Sequence, residues 1–168
     1  MVQDTYNSIL NVGCRLKHAL DNAMVLCQSW GFNGLKRLYR YFNTCIHHEL
    51  LCIENEMYDD HFIVAPLNNN HGYQPYHPLD LKDHAHKWLA TLKDACSQLA
   101  GLNITLVQKT GKQSCHVKAI LKDVYKLKEK AHRFLMRAEN VQWMMHDLHV
   151  YDDMLHEKIK HKEEKHGH

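Results

Sequence analysis

HFIVAPLNNNHGYQPYHPL, residues 61–79, holds all three prolines of the chain and the run Asn68-Asn69-Asn70. Proline cannot donate to a helical ladder and biases the residue before it towards extended backbone, so this stretch reads as an extended connection, too long for a tight turn. On both sides of it the pattern is helical. Before it, Leu35, Leu38, Tyr39, Phe42, Ile46, Leu50, Ile53 and Met57 recur at spacings of three and four, which predicts a helix over 35–60 with one apolar face. Farther upstream Ile9, Leu10, Leu16, Leu20, Met24 and Val25 keep the same period over 5–29, and Gly31 with Asn33-Gly34 breaks it. After the connection, Asp80 can cap a helix that carries Leu81, Trp88, Leu89, Leu92, Leu99 and Leu106 towards Gly111. Ser114 can cap a further one, with Val117, Ile120, Val124, Leu127, Ala131 and Phe134 on one face. A continuous helix from Ser114 to Lys160 would outrun such a bundle. A break near Asn140 is therefore expected, then a fifth helix with Met144, Leu148, Tyr151, Leu155 and Ile159 on its apolar side. The expected fold class is all-α: a four-helix bundle with one long crossover between its second and third helices, not an up-down-up-down order.

A chain of 168 residues fits one domain with a core large enough to stand without staples. Within it we separate the bundle, 1–140, from a histidine-rich C-terminal helix and tail, 141–168. No run of about 18 apolar residues occurs, and MVQDTYNSIL lacks the basic start and apolar stretch of a signal peptide, so the expected address is the cytoplasm, with no membrane partner. Six cysteines, at 14, 27, 45, 52, 96 and 115, form no CxxC pair and read as reduced thiols. The formal charge is +2 with histidine neutral, so nucleic acid is not indicated.

Sixteen histidines are the chemical signature, because many recur beside cysteine, aspartate or glutamate at helical spacing. His146, His149, Asp153 and His156 fall at offsets of three, seven and ten, one stripe of a helix. They read either as metal ligands completed by oligomer symmetry or as a solvated polar face. Between residues 45 and 56, Cys45, His48, Glu49, Cys52 and Glu56 lie within roughly 100° of one another beside the apolar face. Thiolate with imidazole suits zinc, copper(I) or cobalt; the alternative is that both cysteines are small core residues. Cys14, His18 and Asp21 read first as core hydrogen bonding, and Asp83, His84 and His86 as a cap or surface lining. His161, His166 and His168 belong to a tail. No Gly-x-Ser-x-Gly elbow or phosphate loop is present.

LKRLYRYFNTCIHHELLCIENEMY, residues 35–58, followed by Ala65-Pro66-Leu67, resembles the Dps-like mini-ferritins, a ferritin-superfamily group of iron-storing, DNA-protecting proteins; so does ILKDVYKLKEKAHRFLMRA, residues 120–138. The resemblance spans roughly 5–138. It implies a ferritin-like four-helix bundle with the long crossover, a homo-oligomeric shell, and ferrous iron as the ion oxidised and sequestered. Where that family places its inter-subunit ferroxidase ligands, this chain has Cys27, Tyr39, Asn43, Glu54 and Tyr58, of which only Glu54 keeps a carboxylate. The basic N-terminal arm by which some members of that family grip DNA has no counterpart in MVQDTYNSIL, so DNA binding is not expected. Larger ferritins use a Glu-x-x-His motif, a form that Glu129 and His132 share. The resemblance thus points to iron, whereas the local chemistry also admits zinc, copper or nickel on a scaffold without oxidase activity. A hemerythrin-like oxygen carrier ranks last, since Cys52 and Trp88 stand where its ligand pairs with His48 and His84 would be completed.

Overall fold

The computed structural model describes residues 1–65 and 80–165, the side chains of 163–165 excepted. These residues form five helices: α1 (Val2–Ser29), α2 (Asn33–Asp59), α3 (Leu81–Thr110), α4 (Cys115–Asn140) and α5 (Met145–Lys165). Among the described residues there is no strand, and no helix is long and apolar enough to cross a membrane.

The local signals act as expected. The Asp80 carboxylate accepts from the Asp83 N–H at 2.8 Å, and the Ser114 hydroxyl oxygen accepts from the Val117 N–H at 3.4 Å, each meeting one of the free donors of a first turn. α3 stops at Gly111, whose φ of 73° is the left-handed conformation that only glycine adopts without strain. The expected break after Asn140 is present without any glycine. Gln142 and Trp143 both take positive φ, 54° and 58°, and the Trp143 N–H closes the helix end on the Ala138 carbonyl at 2.8 Å. Left-handed backbone costs a non-glycine residue roughly 1–2 kcal/mol. Packing of the Trp143 side chain on the core works against that cost.

The apolar face of each helix meets the others in one continuous core that includes Ile9, Leu20, Ile46, Ile53, Leu92, Leu99, Ile120 and Leu127. α1 packs against α2 and α3, and α4 packs against the same two, so the four make a ring in which the consecutive helices α2 and α3 are diagonal. Side chains fix the directions. The end of α3 meets the start of α1 through Lys109 Nζ and Thr5 Oγ1 at 3.3 Å, and Trp30 faces His84 at the other end, ring centroids 5.4 Å apart. Glu56 accepts from the Ser114 hydroxyl, while Phe32 meets Phe134 edge-on with centroids 6.0 Å apart. Neighbours in the ring are therefore antiparallel and α2 runs parallel to α3. The chain leaves α2 at one end of the bundle and enters α3 at the other, a distance of about 45 Å at 1.5 Å per helical residue. Its first steps follow α1: the Ile63 N–H donates to Gln3, and the Ala65 N–H donates to Asn7, both at 3.0 Å. The three prolines and the asparagine run lie outside the described residues.

α5 packs on α2. Its Asp152, only 2% exposed, accepts from the backbone N–H groups of Gly34 and Leu35 at 2.8 and 2.7 Å. α2 has no side-chain cap of its own, so a residue 118 positions away in sequence caps it. A Cβ at Gly34 would collide with the Asp152 carbonyl oxygen, which makes glycine the residue that lets the two helices approach.

Candidate metal centre

The α2 face that carries Cys45, His48, Glu49, Cys52 and Glu56 turns towards the first turn of α4. That turn starts with Ser114 as cap, Cys115 and His116. Antiparallel packing sets the last turns of α2 beside it. His116 Nδ1 lies 2.6 Å from Glu49 Oε2, and its Nε2 lies 3.7 Å from Glu56 Oε1, so one imidazole is flanked by two carboxylates. Glu56 is further held by the Ser114 hydroxyl at 3.1 Å and by the phenol of Tyr6 on α1. Cys52 Sγ stands 3.7 Å from His48 Nε2.

Two overlapping triads result. Glu49, Cys52 and His116 bring their ligand atoms within 4.8 Å of one another, and so do Glu56, Cys115 and His116. They are the only such groups among the described residues. The electrostatics suit a cation. Partial burial pushes the Cys52 thiol up from its ordinary value, with Glu49, Glu56 and Cys115 adding to the shift. Burial likewise raises Cys45 and Asp123, and Glu49 adds to both. A divalent ion beside these groups would reverse that repulsion and hold a cysteine as thiolate.

The other candidate ligands are placed apart from this centre. Glu54 is turned about 160° from Cys52 around α2, on the side of His47 and Asn43 that faces α1. The terminal stripe is divided: His149 packs at a tilt on Phe32 with centroids 4.8 Å apart, His156 is half-buried beside α2, and His146 and Asp153 are exposed. The buried carboxylate of that helix is Asp152, each of whose two oxygens accepts from an α2 backbone N–H. Glu129 lines a hollow between α2, α4 and α5, while His132 is exposed. His166 and His168 lie outside the described residues.

At the positions the mini-ferritin resemblance assigns to iron, the chemistry does not fit a di-iron pair. Cys27 and Tyr39 are each 3% exposed, and burial pushes both well up from their ordinary values, which keeps them neutral. Tyr39 packs on Trp88, the Asn43 amide donates to Asp21 at 3.2 Å, and Tyr58 is exposed. Asp83, His84 and His86 divide in the same way. His84 is buried between Trp30 and Trp88, and His86 lies 3.6 Å from Glu139 at the end of α4.

Sequence reading found the α2 half of the centre and missed His116 and Cys115. Neither has a ligand-type residue three or four positions away on its own helix, and the one same-face companion, Asp123, is seven residues beyond His116. The available signal was topological: a crossover bundle sets the start of α4 beside the end of α2. No family model, curated protein or solved structure matches this chain.

Proposed function

We propose that the protein binds a divalent transition metal, zinc by ligand preference, at the junction of α2 and α4, and serves as a metal buffer on a ferritin-like scaffold without oxidase activity. One observation carries this reading: two thiols, an imidazole and two carboxylates from separate helices gather around His116. Zinc takes four ligands from this set of donors, at about 2.0–2.3 Å, whereas magnesium and calcium take oxygen alone. His116 would be the common ligand, Cys52 and Glu49 its partners on one side, Cys115 and Glu56 on the other. Tyr6 and Ser114 would orient Glu56.

The test is a titration of the native protein with zinc, repeated with cobalt(II), whose thiolate charge-transfer absorption reports a cysteine ligand. One or two ions per chain are expected, with the cobalt signal reduced in Cys52→Ser and lost in Cys52→Ser/Cys115→Ser, and binding weakened at least tenfold in His116→Ala. Unchanged stoichiometry and affinity in these variants would sink the assignment.

A second reading, iron storage in a homo-oligomeric shell, draws its support from the helix ring with its diagonal α2–α3 crossover, the order of ferritin-like bundles. Light scattering together with elemental analysis of the same chromatographic peak separates the two. A large symmetric particle with many irons per chain favours storage; stoichiometric zinc favours the buffer.

A further inference from the structure

α5 docks on α2 without filling the space beside α4. Between the three helices lies an open hollow of about 690 Å³. Its floor is apolar, made by Leu38, Phe42, Leu155 and Ile159, and its rim carries Lys126, Lys130, Arg133, Lys158 and Lys162 against the single acid Glu129. A second hollow of about 410 Å³ continues it along α4 and α5, shares Lys130, Arg133, Leu155 and Lys158, and adds Arg137. Among the described residues, no carboxylate lies within 4 Å of these cations. They crowd one another instead: burial, then Arg133, Lys162 and Lys158, pushes the Lys130 ammonium down from its ordinary value. Such an arrangement stores repulsion that an anion would relieve.

We propose that this groove binds an amphipathic anion, an alkyl or acyl chain with a phosphate or carboxylate head. The chain would lie on Leu38, Phe42, Leu155 and Ile159, and the head would sit among Lys130, Arg133 and Lys158, the cations common to both hollows. The volume falls in the range of about 300–1,000 Å³ that small-molecule sites occupy. Other occupants suit the groove less well. A hydrated nucleic-acid backbone would satisfy the rim and leave the apolar floor unused. A second copy of this chain, itself of net charge +2, would bring no complementary field.

The experiment is calorimetric titration of the full chain with octyl phosphate below its micellar concentration, with octyl glucoside, inorganic phosphate and a short DNA duplex as comparison ligands. Octyl phosphate is expected to bind one per chain, at least ten times more tightly than octyl glucoside or inorganic phosphate. The double variant Arg133→Gln/Lys158→Gln should weaken it tenfold or more, while Lys93→Gln on α3, remote from the groove, should leave it unchanged. Both variants alter surface side chains, and unchanged far-ultraviolet circular dichroism and Tm would show that they fold. Equal binding of octyl glucoside or of inorganic phosphate, displacement of octyl phosphate by the duplex, or an unaltered affinity in the double variant would each overturn the proposal.

Discussion

Asp152 and His84 are both buried ionisable residues, and burial bears on stability differently at each. Asp152 is desolvated, which pushes its carboxyl up, but the Gly34 and Leu35 amides pull it back by bonding the charged form. Alanine there would strand two donors at the start of α2 inside the protein. Such a loss costs about 2 kcal/mol, and in a chain of this size each kcal/mol lowers Tm by roughly 2–4 °C. Asp152→Ala should therefore melt about 4–8 °C below the parent, and Asp152→Asn, which keeps one acceptor oxygen, should fall between; equal melting of all three proteins would show that the cap contributes nothing. His84 behaves as a buried base. Burial, with Lys87 adding, pushes its pKa down to about 4 from 6.5. Because the folded value lies below the unfolded one, the unfolded chain takes up the proton first as pH falls. The stability held above pH 6.5 is thus lost progressively towards pH 4, by about 3 kcal/mol in all. Denaturant melts at pH 7, 5.5 and 4.5 should show that decline in the parent and a flatter one in His84→Gln; equal slopes would remove His84 as its source.

At the scale of the element, α5 depends on a close approach that one glycine permits. Gly34→Ala would force a methyl group against the Asp152 carbonyl and the His156 backbone nitrogen. Backbone on both sides cannot yield as a flexible side chain would, so α5 should lift while α1 to α4 keep their own core. Hydrogen exchange checks this: amides of residues 148–160 should lose protection at least tenfold, with those of α3 unchanged, and uniform loss throughout would mean that the five helices unfold as one unit. The helices themselves were legible because their signals are local. Asp80, Ser114 and Gly111 stand where caps must stand, and the three-and-four spacing from Leu35 to Met57 admits no other regular structure. The Asp152 cap was not legible, since its partner lies more than a hundred residues away and is a backbone group that no side-chain pattern announces. The α2 half of the candidate centre showed itself in the same local way, through Glu49, Cys52 and Glu56 on one face. Its other half became visible only when packing brought Cys115 and His116 beside them.

For the whole molecule, the consequence of the candidate centre is that a single ion would join the two halves of the bundle. α1 and α2 form one antiparallel pair, α3 and α4 the other, and the connection from 60 to 80 is the one covalent link between them. Ligands from α2 and α4 therefore sit on opposite sides of that division, close to where the chain leaves α2. An ion that binds only the folded arrangement stabilises it by mass action: free zinc at a hundred times its Kd contributes about 2.7 kcal/mol. For a protein of this length that is roughly 5–10 °C in Tm. Thermal melts at several zinc concentrations should rise accordingly and keep rising with the logarithm of free zinc. His116→Ala should move the rise to at least tenfold higher free zinc, whereas alanine at both His146 and Asp153, exposed on α5, should leave it intact. If the α5 variant lost the zinc response and His116→Ala kept it unshifted, the ion would belong to the terminal stripe, and α5, not the α2–α4 junction, would be the metal-binding element.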